Sequence, residues 1–273
     1  MTRPAVYPAS RKAGTCEIQV ATVKSGWKKC FSTLLGVFFM GKFDLTRLII
    51  GIAIIVIGVT VCISRLFKGK SKIDSSFIAR TGLFAAMSII LYLVPGLKFS
   101  VPIFPTFLEF HFDEVPALIA GFAYGPLSGF FVILVKTLVK LPMTNTMCVG
   151  EIADFIYSAA FVIPSALIYK KHRSIKGALV SLSIATFVQV IVSSFVTSFL
   201  ILDFYIFMMG WPKIAIINMC KAANPRVTSL GFTFLLYIAL PFNALKDVAV
   251  VLITFLLYKR LHKIIDKIGQ QKN

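Results

Sequence analysis

Acidic residues are scarce in this 273-residue chain, where 11 Asp and Glu stand against 29 Lys and Arg and the formal net charge is +18. Charged residues make up only 15% of the sequence, whereas 58% is hydrophobic and the mean hydropathy is +0.86. An average soluble domain carries about 25% charged residues. The scarcity of charge predicts an integral membrane protein. We interpret the basic excess as residues that flank membrane spans, which disfavours nucleic-acid binding.

Residues suited to metal or redox chemistry are also few. The five cysteines and three histidines are scattered, and no two cysteines have the CxxC spacing of structural zinc or of a redox pair. Because metal ligands must converge in number and geometry, we expect no metal site. The chain has no complete ATP-binding loop, since Phe43 follows the GVFFMGK segment where Ser or Thr would hold magnesium.

Long apolar runs fill the rest of the chain, and a helix needs about 20 mostly apolar residues to cross a bilayer. Six runs, at 78–94, 115–124, 127–141, 152–169, 178–209 and 230–258, follow an earlier one at 48–64. We expect a basic extension at 1–45, an extra hydrophobic helix at 46–66, a basic linker at 67–76, a six-helix domain at 77–262 and a basic tail at 263–273. The predicted fold class is an all-α integral membrane protein.

The distribution of Lys and Arg in short loops predicts the orientation of the six-helix domain, because these residues are retained on the cytoplasmic side. The 170–176 loop and the C-terminus are rich in Lys and Arg and are predicted to lie inside. The segments 98–113, 140–151 and 211–226 are then predicted to lie outside, although the last of them also carries three basic residues.

Ionisable residues within spans are costly and are candidates for a functional site. Glu151 and Asp154 are three positions apart and share a helix face, as do Asn243 and Lys246, while Asp203 interrupts an apolar run. An amide and an ammonium on one face could bind a polar ligand. The alternative is a lysine paired with an acid only to permit its burial, and the residues alone leave both open.

Three other charged residues have simpler interpretations. Asp113 stands where a helix N-cap is expected, and Lys136 and Lys140 are predicted to snorkel from a helix end. The segment before Asp113 contains three prolines and a series of phenylalanines, and we expect it to fold over an external cavity as a lid. Anchoring at the membrane surface is the alternative explanation for its aromatic residues.

Three stretches carry a family resemblance: FLEFHFDEVPALIAGFAYGPLSG, VGEIADFIYSAAFVIPSALIYK and PFNALKDVAVVLITFLLYKRL. Their order and spacing resemble the substrate-binding S components of energy-coupling factor (ECF) vitamin transporters, most of all the riboflavin-binding members. The resemblance covers residues 77–262. It implies a six-helix bundle in the bacterial cytoplasmic membrane that binds a vitamin from outside, beneath the loop joining its first two helices, and that is not an enzyme.

The resemblance also implies partners and site residues. Such a component docks on a transmembrane coupling protein driven by two ATPase subunits, through small residues of the first helix. These residues correspond here to Gly82, Ala85 and Ala86. Riboflavin is the expected transported ligand, and no catalytic cofactor is expected. Asn243 and Lys246 match the ligand-binding Asn and Lys of the last helix, and Phe107 and Leu108 of the loop are predicted to contact the ligand.

Some positions depart from the family pattern. Asp154 replaces an Asn in the GEIADF segment, and Thr197 and Asp203 replace the usual residues in TSFLILDFY. With Glu151, these residues are included in the predicted binding site, and the added carboxylates would suit a more basic or differently hydroxylated small molecule as the alternative to riboflavin. The same acids leave two other classes open: a proton-coupled secondary transporter and a small integral-membrane enzyme.

Overall fold

The computed structural model describes residues 74–94, 96–144 and 146–270. The predicted extension at 1–45, the extra hydrophobic helix at 46–66 and most of the linker at 67–76 lie outside these residues. The described part is helical and forms no β-strand. The antiparallel pairing between Phe99 and Phe110 is an isolated bridge. The predicted all-α fold class is confirmed.

Seven helices follow one another along the described chain. The first four are α1 (Ser75–Leu93), α2 (Glu114–Tyr124), α3 (Pro126–Lys140) and α4 (Val149–Lys171). Helix α5 comprises Ile175–Val196, a π-helical turn at Thr197–Ile201 and Leu202–Met208. A short α6 (Lys213–Ala223) precedes α7, which comprises Phe232–Phe234, a second π-helical turn at Leu235–Ala239 and Leu240–Gln270.

Five of these helices are long and apolar enough to cross a membrane, namely α1, α3 with the turn that follows it, α4, α5 and α7. Helix α2 is apolar but has only 11 residues. Each of the six predicted apolar runs corresponds to one of these helices. Helix α6 was not predicted, because its sequence is short and mixes Lys and Asn with apolar residues. Helix α7 continues to Gln270, so the expected tail at 263–273 is largely helical.

Helix α2 lies at the centre of the bundle and contacts α1, α3, α4 and α7. All but one of its residues are buried. Its apolar side chains form one core with residues of the surrounding helices, including Phe161, Leu182, Val250 and Tyr258. A hydrophobic helix buried on every side is stable only inside such a bundle. The surrounding helices carry large exposed hydrophobic side chains on their outer faces, such as Leu83, Phe187 and Leu256.

A tight turn joins α2 to α3. Gly125 has a positive φ of 99°, which favours glycine, and Pro126 begins the next helix, where no amide donor is needed. The helices pack closely beyond this turn. A Cβ atom on Gly129 would lie 3.2 Å from the carbonyl oxygen of Ala117 in α2 and 2.7 Å from Val162 Cγ1 in α4. Glycine at position 129 therefore permits this close approach.

The longer connections join α1 to α2, α3 to α4 and α5 to α7. They lie at the end of the bundle opposite the α2–α3 turn. Residues 96–113, called here the lid segment, pack over this end. Phe104 and Phe110 meet Phe242 edge to face, and Phe107 stacks on Phe234 at a centroid distance of 6.4 Å. Helix α6 contributes Ile216 and Cys220 to the same apolar cluster. The lid segment and α6 thus enclose the bundle end together.

Candidate ligand-binding site

A cleft opens beneath the lid segment, between α4, α5 and α7. Its empty volume, counted to the open mouth, is about 830 Å³. The aromatic and charged residues of its wall are Tyr92, Phe107, Glu109, His111, Lys140, Glu151, Asp154, Tyr157, Tyr205, Phe242 and Lys246.

Most of the predicted ligand-binding residues converge on this cleft. Those that line it are Phe107, Leu108, Glu151, Asp154, Thr197, Asn243 and Lys246. Asp203 does not line it, so its predicted place in the binding site is corrected. Asp203 lies six positions after Thr197, and this separation turns its side chain to another face of α5. The structure thus brings together residues from four separate parts of the sequence.

Asn243 and Lys246 form the floor of the cleft. The amide nitrogen of Asn243 donates to Ser194 Oγ at 3.0 Å, and its oxygen has no hydrogen-bond partner within the described part of the chain. The Lys246 ammonium lies 3.4 Å from Glu114 Oε1 and 3.3 Å from His111 Nε2. Lys246 is thus paired with an acid and also faces the cleft, and its role in ligand binding stays a prediction. The floor offers one acceptor and one donor to a ligand.

The charge of Asp154 is compensated by two lysines of α3. Its Oδ2 atom lies 2.7 Å from Lys140 Nζ and 3.2 Å from Lys136 Nζ. Lys136 and Lys140 are 1% and 3% exposed, so the prediction that they snorkel to the surface is wrong. Their partners are buried carboxylates, which retain both ammonium groups inside the bundle. Asp154 therefore presents no unpaired charge to the cleft.

Asp113 belongs to the same charged group. It stands at the N-cap position of α2, but its side chain makes no cap hydrogen bond, so the predicted capping role is also wrong. Its carboxylate instead pairs with Lys136, at 2.7 Å, and with His111, while Ser88 of α1 donates to its backbone carbonyl. Burial alone would raise the pKa of Asp113, but His111 and Lys136 lower it well below its usual range.

Glu151 is fixed by two hydroxyl groups. Thr144 Oγ1 and Thr146 Oγ1 donate to its Oε2 atom at 2.6 Å and 2.8 Å. The turn that carries both threonines contains left-handed residues at Met147 and Cys148, with φ of 51° and 71°. Such conformations in residues other than glycine are uncommon and are found where the surroundings impose them. The turn therefore holds Glu151 at the rim of the cleft.

Aromatic rings supply most of the remaining wall. Tyr157 shares a hydrogen bond of 2.9 Å with Thr197, whose side chain lies in the π-helical turn of α5. Phe107 of the lid segment and Phe242 of α7 also face the cleft. Aromatic faces favour stacking against flat, conjugated ligands. The wall is thus suited to a planar ring system, whose polar edge could meet the floor.

An ion pair closes the lid segment upon itself. Lys98 Nζ lies 2.8 Å from Glu109 Oε2, and both side chains are about one-third exposed. Partial burial, the largest single effect, lowers the pKa of Lys98, but the hydrogen bond with Glu109 and the electrostatic interactions with Tyr92 and Glu109 together raise it above its usual value. The pair joins the beginning and the end of the segment, next to the Phe99–Phe110 backbone bridge.

The predicted docking residues lie on α1, away from the cleft. Gly82 and Ala86 are exposed and one helical turn apart, and a Cβ atom at Gly82 would meet no atom within 4 Å. Ala85 is 1% exposed and belongs to the core. Ala85 therefore packs inside the chain, and the accessible part of the predicted face consists of Gly82 and Ala86.

Several residues of the site were not predicted from the sequence as parts of it: His111, Glu114, Lys136 and Lys140. Each is a charged or titratable residue next to or within an apolar run, a pattern that marks functional candidates in membrane helices. That signal was present, but their partners are distant in the sequence. In the described ranges, no group of three His, Cys, Asp or Glu side chains could hold a metal ion.

Comparison with known proteins identifies the family. Residues 76–258 match the family described as "ECF transporter, substrate-specific component". The chain is 32% identical to the riboflavin transporter RibU of Staphylococcus aureus over 201 residues, which cover 74% of this chain and all of that protein. It is 30% identical over 178 residues to the riboflavin transporter FmnP of Bacillus subtilis, covering 64% and 87% of the two chains.

A solved structure leads to the same family. The chain shares a TM-score of 0.54 and 28% identity with the S component of a bacterial ECF transporter, over 70% of this chain and 97% of that one. Its relatives are transporters, which places the chain among multi-pass membrane proteins of transport rather than among enzymes. On this evidence, the chain belongs to the family of substrate-specific components of ECF transporters.

Proposed function

We propose that the chain captures riboflavin at the outer face of the membrane and delivers it inward together with a transmembrane coupling protein and two ATPase subunits. The observation that carries this proposal is that Asn243 and Lys246 both lie at the floor of a cleft walled by aromatic rings. Riboflavin combines a flat conjugated ring system, which bears amide-like donors and acceptors on one edge, with a neutral hydroxylated chain.

The floor matches the polar edge of such a ring. The unpartnered oxygen of Asn243 can accept from a ring N–H, while Lys246 can donate to a neighbouring carbonyl oxygen. The rings of Phe107, Tyr157 and Phe242 supply apolar faces for the conjugated part. These features favour a planar heterocycle over a flexible aliphatic substrate.

The charges of the cleft also favour a neutral ligand. Asp154, which replaces a residue that is usually an amide in the family, is paired with Lys136 and Lys140. Glu151 is engaged by two threonine hydroxyls. A basic ligand would therefore meet carboxylates that already have partners. In the sequence, these carboxylates favour a more basic substrate as an alternative to riboflavin. In the folded protein they already have partners, so they support that alternative less strongly.

Ligand identity is the first test. The protein is purified in mild detergent from cells grown with riboflavin, and the ligand released on unfolding is identified by mass spectrometry. Flavin-free protein from depleted cells is then titrated with riboflavin, with quenching of flavin fluorescence as the signal. We expect riboflavin to co-purify and to bind saturably at one site. Absence of both would reject riboflavin as the ligand.

Transport is tested separately, in vesicles that contain the protein with or without the coupling protein and ATPase subunits. We expect uptake of radiolabelled riboflavin only when the partners are present and ATP is inside the compartment that holds the ATPases. Uptake without the partners, driven by a proton gradient, would instead support a secondary transporter. Binding and transport can therefore fail independently of each other.

A further inference from the structure

His111 is a partly buried polar residue at the end of the lid segment, and it contacts residues of α1, α4 and α7. It follows directly after Phe110, whose backbone N–H and carbonyl are both bonded to Phe99 at 2.8 Å and 3.1 Å. Its ring packs edge to face against Tyr92 of α1, at a centroid distance of 5.7 Å. The position of the imidazole is thus determined by the folded lid segment.

We assign the imidazole hydrogen from the contacts of the two ring nitrogens. Nδ1 contacts Asp113, a fully buried carboxylate that also pairs with Lys136 at 2.7 Å. An ionised carboxylate only accepts hydrogen bonds, so Nδ1 carries the hydrogen. Nε2 lies 3.3 Å from Lys246 Nζ and 3.6 Å from Asp154 Oδ1. The closer approach of the ammonium fits a lone pair on Nε2.

We propose that His111 is a positioning residue for the ligand: it accepts one N–H of Lys246 and thereby directs another toward the cleft. Lys246 has three N–H groups, and Glu114 takes one of them, at 3.4 Å. With His111 as a second acceptor, the remaining N–H points to the ligand. This inference rests on the proposed function, because Lys246 is the residue that it orients.

The proposal gives the lid segment a chemical role besides covering the cleft. Because His111 is carried by the lid segment and Lys246 by α7, their contact forms only when the segment is packed over the bundle. The donor that recognises the ligand is then fully oriented only in the closed arrangement. Binding of a ligand that accepts from Lys246 would in turn favour closure.

Two substitutions distinguish the two nitrogens. In His111→Asn the amide nitrogen can occupy the place of Nδ1 and retain the contact with Asp113, but nothing reaches Lys246. In His111→Gln the longer side chain can place its oxygen near Nε2 and still accept from Lys246. We expect the Asn variant to raise the riboflavin Kd about tenfold and the Gln variant to remain within about threefold of the parent.

A double-mutant cycle with Lys246→Met tests whether His111 acts through Lys246. In the Lys246→Met background, we expect His111→Asn to change the Kd by less than about twofold, because no ammonium remains to be oriented. Thermal unfolding is measured for every variant. If the Asn variant does not fold, His111→Met, which fills similar volume without an acceptor for Lys246, takes its place in the cycle.

The outcomes are separable. If the parent protein does not bind riboflavin, the proposed function fails. If the parent binds and the Asn and Gln variants lose the same affinity, His111 does not act through its Nε2 atom and the inference is overturned. A full effect of His111→Asn in the Lys246→Met background would overturn it as well, since the two residues would then act independently.

Discussion

Lys246 illustrates how a lysine can be stabilised inside a membrane protein and still face a cleft. The residue is 4% exposed, and its ammonium has two long contacts, of 3.3 Å and 3.4 Å, rather than one short ion pair. Long contacts leave the group adjustable. A buried cation with loosely held partners is suited to recognising a neutral acceptor, because it loses little on turning toward it.

Replacing Lys246 should therefore act mainly on ligand binding. We expect Lys246→Ala to raise the Kd for riboflavin about tenfold to a hundredfold, as a hydrogen bond from a charged donor is lost. Fluorescence titration of flavin-free protein measures the change. The matched control is Lys259→Ala, an exposed lysine farther along the same helix, which should bind as the parent does. Equal Kd values for the two variants would contradict a role of Lys246 in the site.

Asp154 is expected to affect mainly the stability of the protein, because its carboxylate pairs with two buried lysines. We expect Asp154→Asn to destabilise the protein by about 3 kcal/mol, since removing one partner of a buried ion pair leaves an uncompensated charge. The thermal unfolding midpoint in detergent, followed by tryptophan fluorescence, measures this loss. Adding Lys140→Met to Asp154→Asn removes one of the unpaired cations and should recover part of the stability. A double variant no more stable than the single one would argue against this pairing.

The amino-acid sequence predicts some residues of the candidate site and not others. Asn243 and Lys246 are three positions apart on one helix, so their shared face follows from helical periodicity and their role from the family resemblance. The charged pairs of Lys136 and Lys140 could not be found in this way. Their partners lie more than ten residues away in the sequence, and only the packing of α3 against α2 and α4 brings them together.

Among the helices, length and apolarity decided which were predicted. Apart from the end of α7, which runs to Gln270, the spans of 15 or more residues were identified within a few residues of their ends, because an apolar run of that length has few alternatives in a membrane protein. Helix α6 was missed because its 11 residues are neither numerous enough nor apolar enough to be recognised as a span. The two π-helical turns were missed because they are differences of backbone hydrogen bonding, which composition does not reveal.

The π-helical turns contribute to the site at the level of the helix. Thr197–Ile201 in α5 supplies Thr197 and Ile201 to the cleft wall, and it contacts the second π-helical turn at Leu235–Ala239 in α7. Such turns in membrane and soluble helices are frequent at functional sites.

Close packing between α2, α3 and α4 depends on glycine. We expect Gly129→Ala to destabilise the protein by about 1–3 kcal/mol, because the new methyl group would press on a methyl of Val162 and on a backbone carbonyl that cannot move aside. Gly82→Ala is the control, since its methyl group would enter open space. Both are compared by thermal unfolding. Similar midpoints for the two variants would show that the helices can separate without cost.

At the scale of the molecule, the proposed ligand-binding cleft and the proposed docking residues lie on different surfaces. The cleft lies under the lid segment, whereas Gly82 and Ala86 lie on the outer face of α1. Ser88, farther along α1, is bonded to the backbone of Asp113 and so joins this helix to the charged wall of the cleft. The two surfaces are therefore separate but mechanically connected.

Bulky residues on the docking face should separate the two activities. We expect Gly82→Trp or Ala86→Trp to bind riboflavin normally but to lose uptake in vesicles that contain the coupling protein and ATPases, because close helix contact requires small residues. Co-purification with the coupling protein is a second measurement. Met87→Trp, an exposed residue on a neighbouring face of α1, is the control and should retain uptake. Normal uptake by both docking-face variants would place the docking surface elsewhere.

The two ends of the bundle differ in the length of their connections. The segments between α1 and α2 and between α5 and α7 are long, whereas α2 and α3 are separated by Gly125 alone and α4 and α5 by residues 172–174. Insertions and deletions are tolerated in long loops far more readily than in one-residue turns. Among related sequences, insertions and deletions should therefore concentrate in the long connections around the cleft. The short turns at the opposite end should differ by substitution only.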